Sequence, residues 1–205
     1  MKHLTNLLWV AFLAATTASQ ATTLLTFDEL PAGAWPVPGY AVIPNGYGEL
    51  KWENFGVIDA LNLDGSYGYR TGLVSPRNVA FNLYGTNAAV SVSSGLFDLD
   101  SGYLTSALNM DTNLAVRVEG FRGATLLYDH TYTVTRAGPS FITFNYLGID
   151  RATFDTTQQF ALDNLTVAVP EPGLLPLFGL GVVLGRLFRA VDPHGRFVRW
   201  LVNKP

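Results

Sequence analysis

The chain has 205 residues, no cysteine and a formal net charge of −3, with 48% hydrophobic and only 14% charged side chains. Disulfide scaffolds, thiolate zinc sites and cysteine nucleophiles are thereby excluded, and an acidic balance argues against nucleic acid as a partner. The charged fraction is well below that of soluble domains, so part of the apolar content belongs outside a soluble core.

The charge is also unevenly spread: residues 1–21 sum to +1, residues 22–169 to −7 and residues 170–205 to +3. The first segment opens with Lys2 and His3, continues through the apolar run Leu7–Ala15 and ends in the small and polar residues Thr16–Ala21. A basic start, a short apolar stretch and small side chains before a cut describe a secretory signal peptide, with signal peptidase as partner and cleavage after Ala21. The run is too short to remain as a bilayer span.

From residue 22 onward the pattern turns to period 2. Leu114, Val116 and Val118 alternate with Ala115, Arg117 and Glu119, Tyr132 and Val134 with threonines, and Ile142, Phe144 and Tyr146 with Phe141, Thr143 and Asn145. Further runs at 22–27, 40–43, 49–58, 78–83, 88–93, 95–99, 102–108, 124–129 and 159–168 are β-rich and bounded by Gly, Pro, Asn or Asp. No long segment carries a helical period. Residues 22–168 therefore form an all-β domain, an antiparallel β-sandwich or jelly roll.

The segments Leu25-Thr26-Phe27-Asp28-Glu29-Leu30, Trp52-x-Asn54-Phe55, Val116-x-Val118-x-Gly120-Phe121 and Phe160-Ala161-Leu162-Asp163-Asn164-Leu165 resemble those of a group of exported bacterial and fungal proteins. That resemblance implies a galactose-binding-like or lectin-like sandwich, often a non-catalytic module, and no particular ligand.

No catalytic residues are assigned. His130, the one histidine of the domain, sits in a strand, and no Gly-x-Ser-x-Gly elbow is present. The acids are too many for any one pair to mark a glycan hydrolase. Asp163 shares its strand face with Ala161, Leu165 and Val167, the inward positions, so its carboxylate needs partners. One reading has Asp28, Glu29 and Asp163 hold a structural Ca²⁺. The other has Asp163 accept backbone N–H bonds while Asp28 and Glu29 begin a turn. Asp98-x-Asp100-x-Gly102 lacks the later glutamate of a calcium loop and reads as a turn between strands.

Aromatic residues crowd the first half: Trp35, Tyr40, Tyr47, Trp52, Tyr67, Tyr69 and Tyr84. Trp52 reads as core, with Phe55. Trp35, Tyr67, Tyr69 and Arg70 are the candidate ligand-binding residues, since sugars stack their C–H faces on rings and bond their hydroxyls to polar side chains.

The C-terminal segment begins Val169-Pro170-Glu171-Pro172, runs through the apolar stretch Gly173–Gly185 and meets Arg186 and Arg189. It resembles the PEP-CTERM sorting signal of Gram-negative bacteria. The resemblance implies recognition of Pro170, Glu171 and Pro172 by an exosortase-type enzyme. It also implies a transient inner-membrane anchor helix stopped by Arg186 and Arg189, and a destination at the cell surface or in an exopolysaccharide or biofilm matrix. Residues 169–189 form that segment. The chain continues past the basic cluster through residues 190–205, an atypical basic extension carrying Phe197, Trp200 and Leu201.

The expected function is an exported, non-catalytic surface or matrix protein with polysaccharide as a candidate partner. The alternatives are a purely structural matrix protein or a glycan-active hydrolase.

Overall fold

The computed structural model describes residues 20–32, 39–109 and 113–170. The expected signal peptide up to residue 19, Trp35, and the sorting segment from Glu171 onward lie outside the described residues, as do the terminal helices expected there. Among the described residues no helix is long and apolar enough to cross a membrane.

Among the described residues, twelve strands follow one another in the unit Gln20–Pro170. They are β1 (Gln20–Leu25), β2 (Ala41–Val42), β3 (Lys51–Glu53), β4 (Phe55–Asp59), β5 (Asn78–Asn82) and β6 (Ala88–Ser91), then β7 (Phe97–Ser106), β8 (Asn113–Arg122), β9 (Thr125–Thr135), β10 (Ser140–Ile149), β11 (Arg151–Asp155) and β12 (Phe160–Pro170). A one-turn helix, α1 (Gly68–Thr71), lies between β4 and β5.

Every strand pair is antiparallel. One sheet has seven strands in the order β10-β7-β12-β5-β4-β2, with β1 added to β12, and the other has five in the order β3-β6-β11-β8-β9. Strand β12 is the hub: β7 lies along one edge, while β5 and β1 share the other, at Ala161–Leu162 and at Leu165–Pro170. The expected antiparallel sandwich is the observed architecture.

Alternation builds the core between the sheets. In β8, Leu114, Val116 and Val118 are buried and their neighbours Asn113, Ala115 and Arg117 exposed. From the opposing sheet come Val57, Ala80, Phe97, Leu99, Leu104, Phe160 and Leu162. Edge-on rings run through this core, Phe27–Trp52 at 5.7 Å, Trp52–Phe55 at 5.2 Å and Phe55–Phe154 at 5.7 Å. Each buried ring contributes roughly 1.5–3 kcal/mol. The open side between β9 and β10 is closed by Tyr128 stacked on Tyr146 at 4.5 Å. Tyr146 donates its hydroxyl to Val118 O at 2.9 Å, so His130 Nδ1, 3.1 Å from that hydroxyl, is itself the donor. His130 is thus a structural tie.

Five expectations are corrected. The Asp98–Gly102 segment is mid-strand, not a turn: Phe97 and Leu99 point into the core, and Asp98 Oδ1 accepts the Gly148 N–H at 2.6 Å. Runs 124–129 and 131–135 are one strand, and β11 arises where no run was expected. Run 49–58 breaks at Asn54, held at φ 58°. Finally, β12 changes face partway. Asn164 adopts φ 49° and the register to β7 shifts there. Leu162, Leu165 and Val167 therefore face the main core, whereas Ala161 belongs to a second cluster with Ile58, Val79 and Phe81. Asp163 keeps company with Ala161, not with Leu165.

The two outer faces differ in chemistry. The five-stranded sheet presents ion pairs, Arg117–Asp129 and Arg117–Glu119 at 2.7 Å and Arg151–Glu53 at 2.9 Å. Such exposed pairs stabilise by about 1 kcal/mol at most and mark a solvated face. The seven-stranded sheet is instead overlaid by residues 60–75.

Candidate functional site

The strap formed by residues 60–75 starts where β4 ends, and its hydrogen bonds fix it from one end to the other. Asp59, buried, accepts the Leu61 N–H at 3.1 Å, the Asn62 amide at 3.0 Å and the Arg77 guanidinium at 2.8 and 3.0 Å. Asp64 accepts the Ser66 N–H at 2.7 Å, which holds its carboxyl below the usual range. Gly68 donates to Ala107 O at 2.8 Å and lies so close to β7 that a Cβ there would stand 1.7 Å from Ser106 O. At the far end Asp163 Oδ2 accepts the N–H groups of Val74 and Ser75 at 2.7 and 2.8 Å, and Oδ1 that of Asn164 at 2.7 Å. Burial still pushes the Asp163 carboxyl up against the pull of those donors.

Beside the strap the sheet carries a cavity of about 380 Å³, within the size range of small-ligand sites. Its floor is Ile58, Phe81 and Leu83, all buried, and around it stand Tyr40, Leu63, Tyr67, the buried Tyr69, Tyr84 and Leu108. Tyr40 and Tyr69 both stand edge-on to Phe81, at 5.7 and 5.4 Å. Polar atoms come from Asn62, Asp64 and Gln159. Gln159 Oε1 takes the Tyr69 hydroxyl at 2.7 Å, and burial raises that hydroxyl's pKa. At the rim the Tyr40 and Tyr84 hydroxyls meet at 3.4 Å.

Tyr84 is unusual in its backbone. It adopts φ 58°, ψ 11° and is 77% exposed. A bulky residue in the left-handed region is strained, and so exposed a ring recovers little of that in packing. Two asparagines hold the turn in place. Asn54 donates to Leu83 O at 3.1 Å, Thr86 Oγ1 at 2.8 Å and Asn87 O at 2.9 Å. Asn82, fully buried, donates to Thr86 O at 2.9 Å and Gln158 O at 3.1 Å while accepting the Phe160 N–H at 2.8 Å.

Of the candidate ligand-binding residues, Tyr67 and Tyr69 line this cavity together, Arg70 is not among its lining residues, and Trp35 lies outside the described residues. Tyr40 and Tyr84 belonged to the crowded aromatics but carried no role in the sequence reading. Their juxtaposition depends on the pairing of β2 with β4 and β4 with β5, which spacing along the chain does not reveal. Asn62, Asp64 and Gln159 carried no signal either. Trp52 is core, at 5% exposure, and its indole donates to Tyr47 O at 2.9 Å.

Asp28, Glu29 and Asp163 each accept hydrogen bonds from protein donors. Asp28 Oδ1 accepts the N–H groups of Arg77 and Asn78 at 2.9 and 2.7 Å, and Glu29 accepts the Thr26 hydroxyl at 3.3 Å. Asp28 and Asp163 thus grip one segment, Val74–Asn78, from its two ends. Among the described residues no three His, Asp or Glu side chains converge as metal ligands.

No family profile and no curated protein sequence matches the chain. Among solved structures it is similar to the CBM22-1 xylan-binding domain of Paenibacillus barcinonensis Xyn10C, with 16% identity and a TM-score of 0.43 over 76% of this chain and 100% of that one. A second CBM22 xylan-binding domain matches at 13% identity and a TM-score of 0.40, covering 68% of this chain and 100% of that chain. The family 32 module of C. perfringens NanJ in complex with galactose matches at 11% and 0.34, covering 60% and 95%.

Proposed function

We propose that this chain is an exported, non-catalytic carbohydrate-binding protein whose sandwich receives a sugar in the tyrosine-ringed cavity. The observation that carries the reading is the composition of that cavity: four tyrosines with Asn62, Asp64 and Gln159 around an apolar floor. Pyranose rings present apolar C–H patches that stack on aromatic faces, and their hydroxyls bond to amides and carboxylates. Export and surface or matrix sorting rest on the Lys2–Ala21 segment and on Pro170-Glu171-Pro172 with its apolar run and arginines.

The test of binding is titration of the purified full chain with soluble neutral polysaccharides, followed by tyrosine fluorescence and calorimetry. Saturable binding that weakens about tenfold in Tyr67→Ala is expected, and no binding of the wild type to any glycan overturns the reading. For sorting, a periplasmic reporter enzyme fused after residue 168 is expected to be active. A cytoplasmic location of the fusion overturns export.

A further inference from the structure

Among the described residues, lining side chains reach the cavity from four directions. Strap residues Tyr67 and Tyr69 stand on the side toward β12 and β7, and Tyr40, just before edge strand β2, stands opposite. Along the strand direction, Asn62, Leu63 and Asp64 follow the end of β4, while Tyr84 follows the end of β5. These two ends are opposite, because β4 and β5 are antiparallel and pair Phe55 with Asn82 and Asp59 with Asn78. The Tyr40–Tyr84 hydroxyl contact at 3.4 Å joins two of the walls at the corner.

A site for internal units of a polysaccharide needs two open ends through which the chain enters and leaves. Here both ends carry side chains, and the Tyr84 wall is held by the hydrogen bonds of Asn54 and Asn82 despite its backbone strain. From this geometry, and resting on the carbohydrate reading above, we infer that the cavity recognises a chain end. One terminal sugar unit enters apolar face down onto Phe81 and Leu83, and the rest of the chain remains outside. Tyr84 is the residue that selects against internal units.

The experiment measures Kd for the purified full chain against neutral gluco-, galacto- and xylo-oligosaccharide series of increasing length. End recognition gives one protein per chain and Kd values within about twofold across the series that binds. Internal recognition gives affinity that tightens with length by about tenfold or more, and several proteins on a long chain. That second outcome overturns chain-end selection while leaving carbohydrate binding intact, whereas no binding in any series overturns both.

Tyr84→Gly removes the wall and keeps a residue at ease with φ 58°. It is expected to keep the melting temperature and to acquire length-dependent affinity. Length-independent affinity in Tyr84→Gly removes Tyr84 from the selecting role.

Discussion

Asp163 Oδ2 receives the Ser75 N–H at 2.8 Å across 88 residues of sequence, tying the far end of the strap to the hub strand of the sheet. The neighbouring Val74 N–H shares the same oxygen. Replacing Asp163 by Ala leaves those donors without a partner under the strap. A loss of about 3 kcal/mol follows from orphaned buried N–H groups together with a lost charge-assisted acceptor. Urea denaturation monitored by tryptophan fluorescence measures it.

The same carboxyl sets a pH signature. Its pKa in the folded chain is raised above the ordinary 3.8, burial being the largest cause. The folded state therefore takes up the proton at higher pH than the unfolded state does. The contribution of Asp163 is fully present below the unfolded value and declines as pH rises through the raised folded value. Stability of the wild type relative to Asp163→Asn is expected to fall over that window. A difference that instead rises with pH contradicts the direction.

Gly68 begins α1 with no room for a side chain, because a Cβ would collide with the Ser106 carbonyl. Gly68→Ala is expected to cost about 2 kcal/mol, in the range of overpacked positions against backbone. It should also lift Tyr67 and Tyr69 away from the sheet and abolish ligand binding. Thermal melts and glycan titration on the same sample read both effects.

Asn82 separates the two asparagine roles. Asn82→Asp keeps an acceptor for the Phe160 N–H but loses the donors to Thr86 O and Gln158 O. Asn82→Ala loses all of them and leaves buried partners unpaired. The Ala variant is expected to be about 2 kcal/mol less stable than wild type, and Asp less stable still, because its buried carboxylate faces two carbonyl oxygens. Both should weaken binding, through the turn that carries Tyr84.

Tyr67 and Arg70 looked equivalent in the sequence, four residues of one aromatic-basic loop, and the structure separates them. Only Tyr67 lines the cavity. Tyr67→Ala is expected to weaken glycan binding about tenfold, the loss of one stacked ring, whereas Arg70→Ala leaves Kd unchanged. Calorimetry on the two variants decides.

What the sequence revealed follows from how local its signals are. Alternation in Leu114–Val118 and Ile142–Tyr146 exposed the strands and their buried faces, because period 2 is a property of the strand itself. Asn164 concealed its effect, since a single left-handed residue reverses inside and outside for everything beyond it. Asp98 and Asp100 imitated a turn, although their alternation with Phe97 and Leu99 already fitted a strand. The cavity was half legible. Tyr67 and Tyr69 lie near one another in sequence, whereas Tyr40, Tyr84 and Gln159 arrive from separate segments through strand pairings that no local pattern encodes.

The position of β12 bears on how the chain is made. The last strand of the fold pairs with β7, β5 and β1, so the seven-stranded sheet lacks its hub until Phe160–Pro170 has been synthesised. A nascent chain lacking those residues has β7, β5 and β1 without their shared neighbour, and pairings of such long sequence separation form slowly. The seven-stranded sheet therefore closes around a strand made after all of its neighbours, and β12 sets the order of assembly.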